Sequence, residues 1–414
     1  MTVELTLPGS KSMTQRALII AALADRPSTI AGALACDDSR HLVAILRHLG
    51  VTVETDWGGG RLEVRPAPRQ RGRPLASDGA VLDCGNAGTA MRFGTALALV
   101  CDGALVLDGD PRMRRRPIGP MGDALRSLGV AVRYRLEDGY PPLQLSRADR
   151  LGDEVAVDVS QSSQFASGLL MVAPRLDRGL TLTLGDKRVS GPYLAMTMRM
   201  MRRAGVDVTR LDDERIRVLP GAYRWQDAPA VQRIEADWSG AAFILAAAWL
   251  TGIELDIANL PSPLDSAQGD ARFAAFLEEL DRQREHVFDL TDVPDLIAPL
   301  AAAALFATHP STIAGAAHTR VKESDRIAVL VDAFGKLGAR IEERPDGMVV
   351  QPLRDATLPD EPLDPQNDHR MAMAFGIVSL RVPGIPIANR GCVTKSYPRF
   401  WDDLERIRSR IGRA

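Results

Sequence analysis

Cysteine is scarce in this chain: four in 414 residues, at Cys36, Cys84, Cys101 and Cys392. None forms a CxxC pair or falls at a His/Cys metal spacing, which argues against a disulfide framework or a zinc module and for a reduced protein with no bound metal. Charge of one sign is also lacking. The 51 basic residues face 53 acidic ones, for a net −2. So balanced a chain has no overall field for nucleic acid or an anionic membrane surface, and any anion binding must rest on local clusters. Long apolar runs are missing too: 240–250 and 296–307 are too short to span a bilayer, and Pro299 interrupts the second. The opening Met1-Thr2-Val3-Glu4-Leu5 has neither the basic stretch nor the apolar run of a secretory leader, so the expected location is the cytoplasm. Two nucleotide signatures, GxxxxGK[ST] and GxGxxG, are absent as well.

What is present is an ordinary globular composition, 45% hydrophobic and 25% charged, carrying an internal repeat. Six polar clusters each open a long apolar helix: Ser10-Lys11-Ser12, Asn86-Ala87-Gly88-Thr89, Ser162-Ser163-Gln164, Asp237-Trp238-Ser239, Asp295 and Asp368-His369-Arg370. Their centres step by about 75 residues, except for a fourth step of about 57. Helix-ending glycines at 50, 129, 205, 338 and 412 keep the same rhythm. Within one period the pattern reads helix, strand, helix, hairpin. The hairpin turns are expected at 57–60, 137–139, 212–214 and 345–347. The fifth unit is expected to be shortened, because after 276–280 the chain reaches Asp295 with little room for a hairpin. The last unit stops at its second helix, so its missing strands are expected from 3–7. Three units plus three suggest two similar lobes with a cleft: 9–230 in one, 1–8 and 231–414 in the other, with hinge crossings near 8–11 and 228–237.

Helix N-termini carry free N–H groups and the positive dipole end, so starts rich in donors suit phosphate or carboxylate. The first start adds Lys11, hydroxyls and Arg16 one turn on. Second-helix starts place Asp38, Arg116, Tyr193 and Arg326 at one structural level. The run Arg112, Arg114, Arg115, Arg116 precedes Pro117, an N1 proline, and with neutral overall charge it suits a small anionic ligand. In 321–326, Lys322 and Arg326 could clamp anionic oxygens while Glu323 handles a proton, or the three could simply pair on a surface. His369 and Arg370 in a first helical turn oppose the dipole and need a ligand or a buried acid to balance them.

Nine strings in order, PGSKSMTQRAL, GNAGTAMRF, DPRMRRRPIGP, SSQFASGLLM, SGPYL, DVPD, RVKESDRI, NDHRMAMAF and TKSYP, span 8–398. On these the chain resembles the enolpyruvyl transferases, and within them the branch acting on shikimate 3-phosphate. The resemblance implies an α/β fold of two similar lobes that close over the substrates. Each lobe would hold three βαβαββ units, an inside-out α/β barrel. It implies transfer of the enolpyruvyl group of phosphoenolpyruvate to the 5-hydroxyl of shikimate 3-phosphate with release of phosphate, a step toward aromatic amino acids. Cofactor and metal are expected to be none. The expected partners are small molecules, not nucleic acid or membrane, for a monomer.

By the same resemblance Lys11, Ser12, Arg16, Ser162, Ser163, Gln164, Ser190, Tyr193, Asp295 and Lys322 would hold shikimate 3-phosphate. Lys11, Asn86, Gly88, Thr89, Arg116, Gln164, Arg326, Arg370 and Lys395 would hold phosphoenolpyruvate. The enol carbon must gain a proton while the hydroxyl loses one, so two positioned acid–base groups are needed. Asp295 is the candidate base, with Glu323 and Lys11 as candidates for the proton at the enolpyruvyl carbon. The chain departs from the family pattern at Phe93, where many relatives have proline, and at His318, where Asn or Glu is common. The rival transferase acting on UDP-N-acetylglucosamine carries a cysteine in the loop that is 108–117 here, and this chain has none there. A non-catalytic binder of phosphorylated small molecules would need the arginines but have no use for Asp295 and Glu323.

Overall fold

The computed structural model describes residues 2–68, 73–225 and 230–411; the expected helix-ending Gly412 lies outside them. The chain divides into two compact units, Gly9–Ile234 and Met1–Pro8 with Glu235–Ala414. The boundary falls after 234, not 230, because strand Val231–Arg233 pairs in parallel with Ser28–Ala31 of the first unit.

In the first unit the helices are α1 (Lys11–Ala22), α2 (Asp37–His48), α3 (Gly88–Ala96), α4 (Gly119–Ser127), α5 (Gln164–Val172) and α6 (Gly191–Arg203). The three repeats differ in helix character as burial demands. Every residue of α3 is buried, and α1 and α5 are buried on nearly all faces. By contrast α2, α4 and α6 bury one face each, as amphipathic outer helices do. The buried helices α1, α3 and α5 touch one another and form the centre of the unit. Each repeat adds a four-stranded sheet: a parallel first pair, then an antiparallel hairpin. The sheets run 231–233/28–31/61–65/52–56, 81–83/105–108/143–147/130–134 and 154–157/180–184/215–218/208–210. The first sheet thus takes its leading strand from the end of the unit, which closes the set of three.

The second unit holds α7 (Trp238–Thr251), α8 (Phe273–Leu280), α9 (Ile297–Ala304), α10 (Arg326–Lys336), α11 (His369–Val378) and α12 (Phe400–Arg408). Its central helices α7, α9 and α11 also touch one another. One repeat is complete, with strands 286–289/311–314/347–350/341–344. The repeat that opens with α7 has no hairpin, since α8 ends at Leu280 and the next strand begins at His286. Counted by first helices it is the fourth, not the fifth. Strand Val3–Leu5 pairs in parallel with Leu255–Ile257 of this shortened repeat, so it completes that repeat instead of the last one. Backbone pairing is available there because the missing hairpin leaves Leu255–Ile257 in a two-stranded sheet. Around α11 the sheet is reduced to an isolated bridge between Leu363 and Ile387. The two hydrophobic cores share no residue. Among the described residues no helix is long and apolar enough to cross a membrane.

Candidate active site

In the first unit the candidate residues lie at or near the starts of helices, central and outer. Ser10, Ala87 and Ser163 precede α1, α3 and α5 without making a side-chain cap. Lys11 Nζ is 3.3 Å from Asp38 Oδ2 at the start of α2, and Asp38 is buried. Arg16 is only 1% exposed. Its guanidinium donates to Thr197 Oγ1 (2.7 Å), the Ser12 carbonyl (2.9 Å), the Tyr193 carbonyl (3.2 Å) and Ser167 Oγ (3.4 Å). No carboxylate pairs with it among the described residues, and burial pushes its pKa down to about 10. A buried cation held only by neutral oxygens is poised for an anion.

The arginine run resolves into different roles. Arg114 pairs with Asp108 at 2.6 Å and Arg115 is exposed, whereas Arg116 is buried. Arg116 Nη1 donates to the backbone and side-chain oxygens of Asn86, both at 3.2 Å. Its guanidinium lies across Gly88: a Cβ there would fall 2.4 Å from Nη2, so a side chain at 88 would have to push the guanidinium aside. Gln164 joins two helix starts, donating to Thr89 Oγ1 (3.3 Å) and accepting from Arg92 (2.8 Å), while its own N–H donates to Ser162 Oγ (3.2 Å). Ser162, Ser163 and Ser190 are buried, and Tyr193 is half-buried with its N–H donating to the Ser190 carbonyl at 3.1 Å. Arg92 was not foreseen. Its place three residues after Thr89, on the same helix face, was the available signal.

In the second unit Arg326, 1% exposed at the start of α10, is a hub for three carboxylates. It donates to Asp295 (2.8 Å), Glu323 (3.0 Å) and Asp368 (2.9 Å). Asp295 also pairs with Lys322 (3.3 Å) and Arg370 (2.8 Å), and Glu323 with Lys395 (3.2 Å). Arg370 at the start of α11 is therefore balanced by an acid, the partly buried Asp295. Four cations and three carboxylates leave this cluster one formal positive charge. Burial works against the charge on Arg326, but Asp368, Glu323 and Asp295 outweigh it and hold its pKa above the usual value. Burial lowers the pKa of Lys322, against the pull of Asp295.

One member of the cluster has a second task, and two further groups border it. Buried Asp368 caps α11 through the Arg370 N–H (2.9 Å) and accepts from Ser324 (3.1 Å). Sequence reading saw only the cap, since a cap already explains an aspartate at that position. His318 is pushed down to about 4 by burial and then by Lys322, so it is neutral at pH 7. Asp270, buried and accepting a hydrogen bond from Ser239, is raised to about 6 by burial and then by Asp295. Nothing in its surroundings in the sequence marked it.

Comparison with known proteins gives the family. The family model described as EPSP synthase (3-phosphoshikimate 1-carboxyvinyltransferase) matches residues 1–404. A 3-phosphoshikimate 1-carboxyvinyltransferase of Methanosphaerula palustris is 38% identical, over 96% of this chain and 95% of that one. One of Syntrophobacter fumaroxidans is 38% identical, over 98% and 97%. The fold matches that of an EPSP synthase structure from Acinetobacter baumannii with a TM-score of 0.76, at 22% identity, over 98% of this chain and 95% of the other. Whole-length likeness at this level shows that the chain belongs to the EPSP synthase family.

Proposed function

We propose that this chain transfers the enolpyruvyl group of phosphoenolpyruvate to the 5-hydroxyl of shikimate 3-phosphate, giving 5-enolpyruvylshikimate 3-phosphate and phosphate. The observation that carries the reading is 38% identity over nearly the whole length to proteins named for that reaction. Lys11, Ser12, Arg16, Ser162, Ser163, Gln164, Ser190, Tyr193, Asp295 and Lys322 bind shikimate 3-phosphate. Arg16 supports this as a buried cation that lacks a carboxylate partner among the described residues. Lys11, Asn86, Gly88, Thr89, Arg116, Gln164, Arg326, Arg370 and Lys395 serve phosphoenolpyruvate. The segments 8–11 and 228–237 serve as hinges, although 228 and 229 lie outside the described residues. The reading carries with it a cytoplasmic monomer.

In the first half-reaction the methylene carbon of phosphoenolpyruvate gains a proton as the 5-hydroxyl oxygen attacks the neighbouring carbon and loses its own. In the second, the resulting methyl group gives back a proton as the C–O bond to phosphate breaks. Glu323 lies between Lys395 and Arg326, so a proton can pass between its carboxyl group and Lys395 (3.2 Å) as the carbon is protonated and deprotonated. Lys11 is the second candidate for that proton. Asp295 is the base for the hydroxyl. It already accepts from three cations, and burial lowers the pKa of one of them, Lys322.

A phosphate-release assay with both substrates tests the reaction. Folded protein that binds shikimate 3-phosphate yet releases no phosphate would be a binder and not a transferase. Replacing Glu323 with Gln is expected to lower kcat roughly 10²–10⁴-fold, the usual range for a general acid–base group, with shikimate 3-phosphate binding nearly unchanged. An equal loss in binding and turnover would remove its proton-transfer role.

A further inference from the structure

The charge on Arg16 poses a problem that its hydrogen bonds do not solve. The side chain is buried by α1, α3, α5 and α6, and all four oxygens it donates to are neutral. A guanidinium has five N–H donors and the four bonds use four, so one N–H, on Nη1, is uncommitted among the described residues. What faces the delocalised charge is a ring. The Cζ of Arg16 stands over Phe93 at 5.4 Å from the ring centroid, within the range of a cation–π contact. Phe93 is fully buried on α3, one turn beyond Thr89. Its ring is hemmed in by α5, where a Cβ on Gly168 would meet Phe93 Cδ1 at 3.5 Å. Fully buried against α5, the ring has little free space in which to turn away from the guanidinium. Proline, which the family pattern expects at this position, is apolar and cyclic but offers no π face.

Resting on the reading of Arg16 as a shikimate 3-phosphate ligand, we propose that Phe93 is a positioning residue. Its ring keeps the buried guanidinium charged and aimed, with its free N–H ready for an anionic oxygen of that substrate. The aromatic face takes the place of a carboxylate partner. A carboxylate would satisfy Arg16 so fully that the substrate would have to displace it, whereas a ring stabilises the cation and leaves the donor open. The departure at Phe93 thus acts on shikimate 3-phosphate, through Arg16, and not on the phosphoenolpyruvate residues Gly88 and Arg116.

The test is a double-mutant cycle of Phe93→Leu and Arg16→Gln, with shikimate 3-phosphate binding read by calorimetry and both Michaelis constants by kinetics. Leu keeps an apolar side chain and removes the π face. Phe93→Leu is expected to weaken shikimate 3-phosphate binding about tenfold, as for loss of a desolvated cation–π contact, with KM for phosphoenolpyruvate changed less than about twofold. On the Arg16→Gln background the same substitution is expected to add less than about twofold. An equal loss for both substrates, or the full tenfold loss on the Arg16→Gln background, would overturn the proposal, since a packing role needs no guanidinium. The controls separate it from the reading beneath it. No binding of shikimate 3-phosphate by the wild type, or unchanged binding by Arg16→Gln, overturns that reading and this proposal with it. Additive losses when both controls behave as expected sink only the role of Phe93. If Phe93→Leu lowers the melting temperature sharply, Phe93→Met, whose unbranched side chain adapts better to the space the ring leaves, replaces it in the same cycle under the same criteria.

Discussion

Gly88 and Arg116 show how narrowly a single position can be constrained. A methyl group at 88 would sit 2.4 Å from Arg116 Nη2 and displace a guanidinium that also bonds Asn86. Gly88→Ala is therefore expected to raise KM for phosphoenolpyruvate roughly tenfold by misplacing a charge-assisted contact. Arg116→Ala, which removes the contact, should raise it by roughly 10–100-fold. Shikimate 3-phosphate binding should change little in either variant. If KM is unchanged in both, Arg116 is a structural tie and not a ligand. The four arginines were legible as an anion-binding candidate, but which one turns inward was not, since a run of identical residues carries no periodicity. Asp368 is a second such case. Asp368→Ala would leave Arg326 short of the most deeply buried of its three carboxylates and α11 without its cap, and losing one partner of a buried ion network costs about 3–5 kcal/mol. Urea denaturation should show that loss, and a change under 1 kcal/mol would mean that the network re-forms around Asp295 and Glu323.

Among the elements, the repeat was legible because its signals are local. Glycines at 50, 129, 205 and 338 end the second helices with φ between +80° and +98°, and hairpin turns lie between strands at all four expected places. What was not legible is pairing over distance. Val3–Leu5 is too short to state a register, and its partner Leu255–Ile257 lies some 250 residues away, so nothing local chose between the shortened repeat and the last. The same holds for Val231–Arg233 and Ser28–Ala31. Helix ends offer a graded test of how much is conformation and how much is crowding. At Gly129 (φ +98°) a Cβ would meet its nearest atom, the Arg150 carbonyl oxygen, at 3.3 Å; at Gly205 (φ +80°) it would fall 2.4 Å from the Arg224 carbonyl oxygen. Gly129→Ala is expected to cost about 1 kcal/mol for the left-handed backbone alone. Gly205→Ala should cost at least about 1 kcal/mol more, because a backbone carbonyl must also move. Equal shifts in denaturation midpoint would show that the Arg224 segment yields freely.

Stability against pH belongs to the molecule as a whole, and here two groups of the same unit act on it with opposite signs. His318 falls from 6.5 to about 4 in the folded state. Its contribution is complete above pH 6.5 and is lost as the pH drops toward 4, because the unfolded chain takes up the proton first. Asp270 rises from 3.8 to about 6. Its contribution is complete below pH 3.8 and is lost as the pH rises through 6, because the folded chain then holds the proton more tightly. Each shift spans roughly two pH units, worth roughly 3 kcal/mol, so between pH 4 and 6 the pair nearly cancels. Asp270→Asn removes one side of that balance while keeping an acceptor for Ser239. The variant should be more stable than the wild type at pH 7.5, where it no longer buries a carboxylate charge, and should lose that advantage progressively from pH 6 down to 4. Acidification should accordingly destabilise it more steeply than the wild type, since His318 then acts unopposed. Denaturant titrations at a series of pH values measure the difference directly. A stability gap between the two proteins that stays constant from pH 7.5 to 4 would mean that Asp270 keeps one protonation state throughout and contributes only its contact with Ser239.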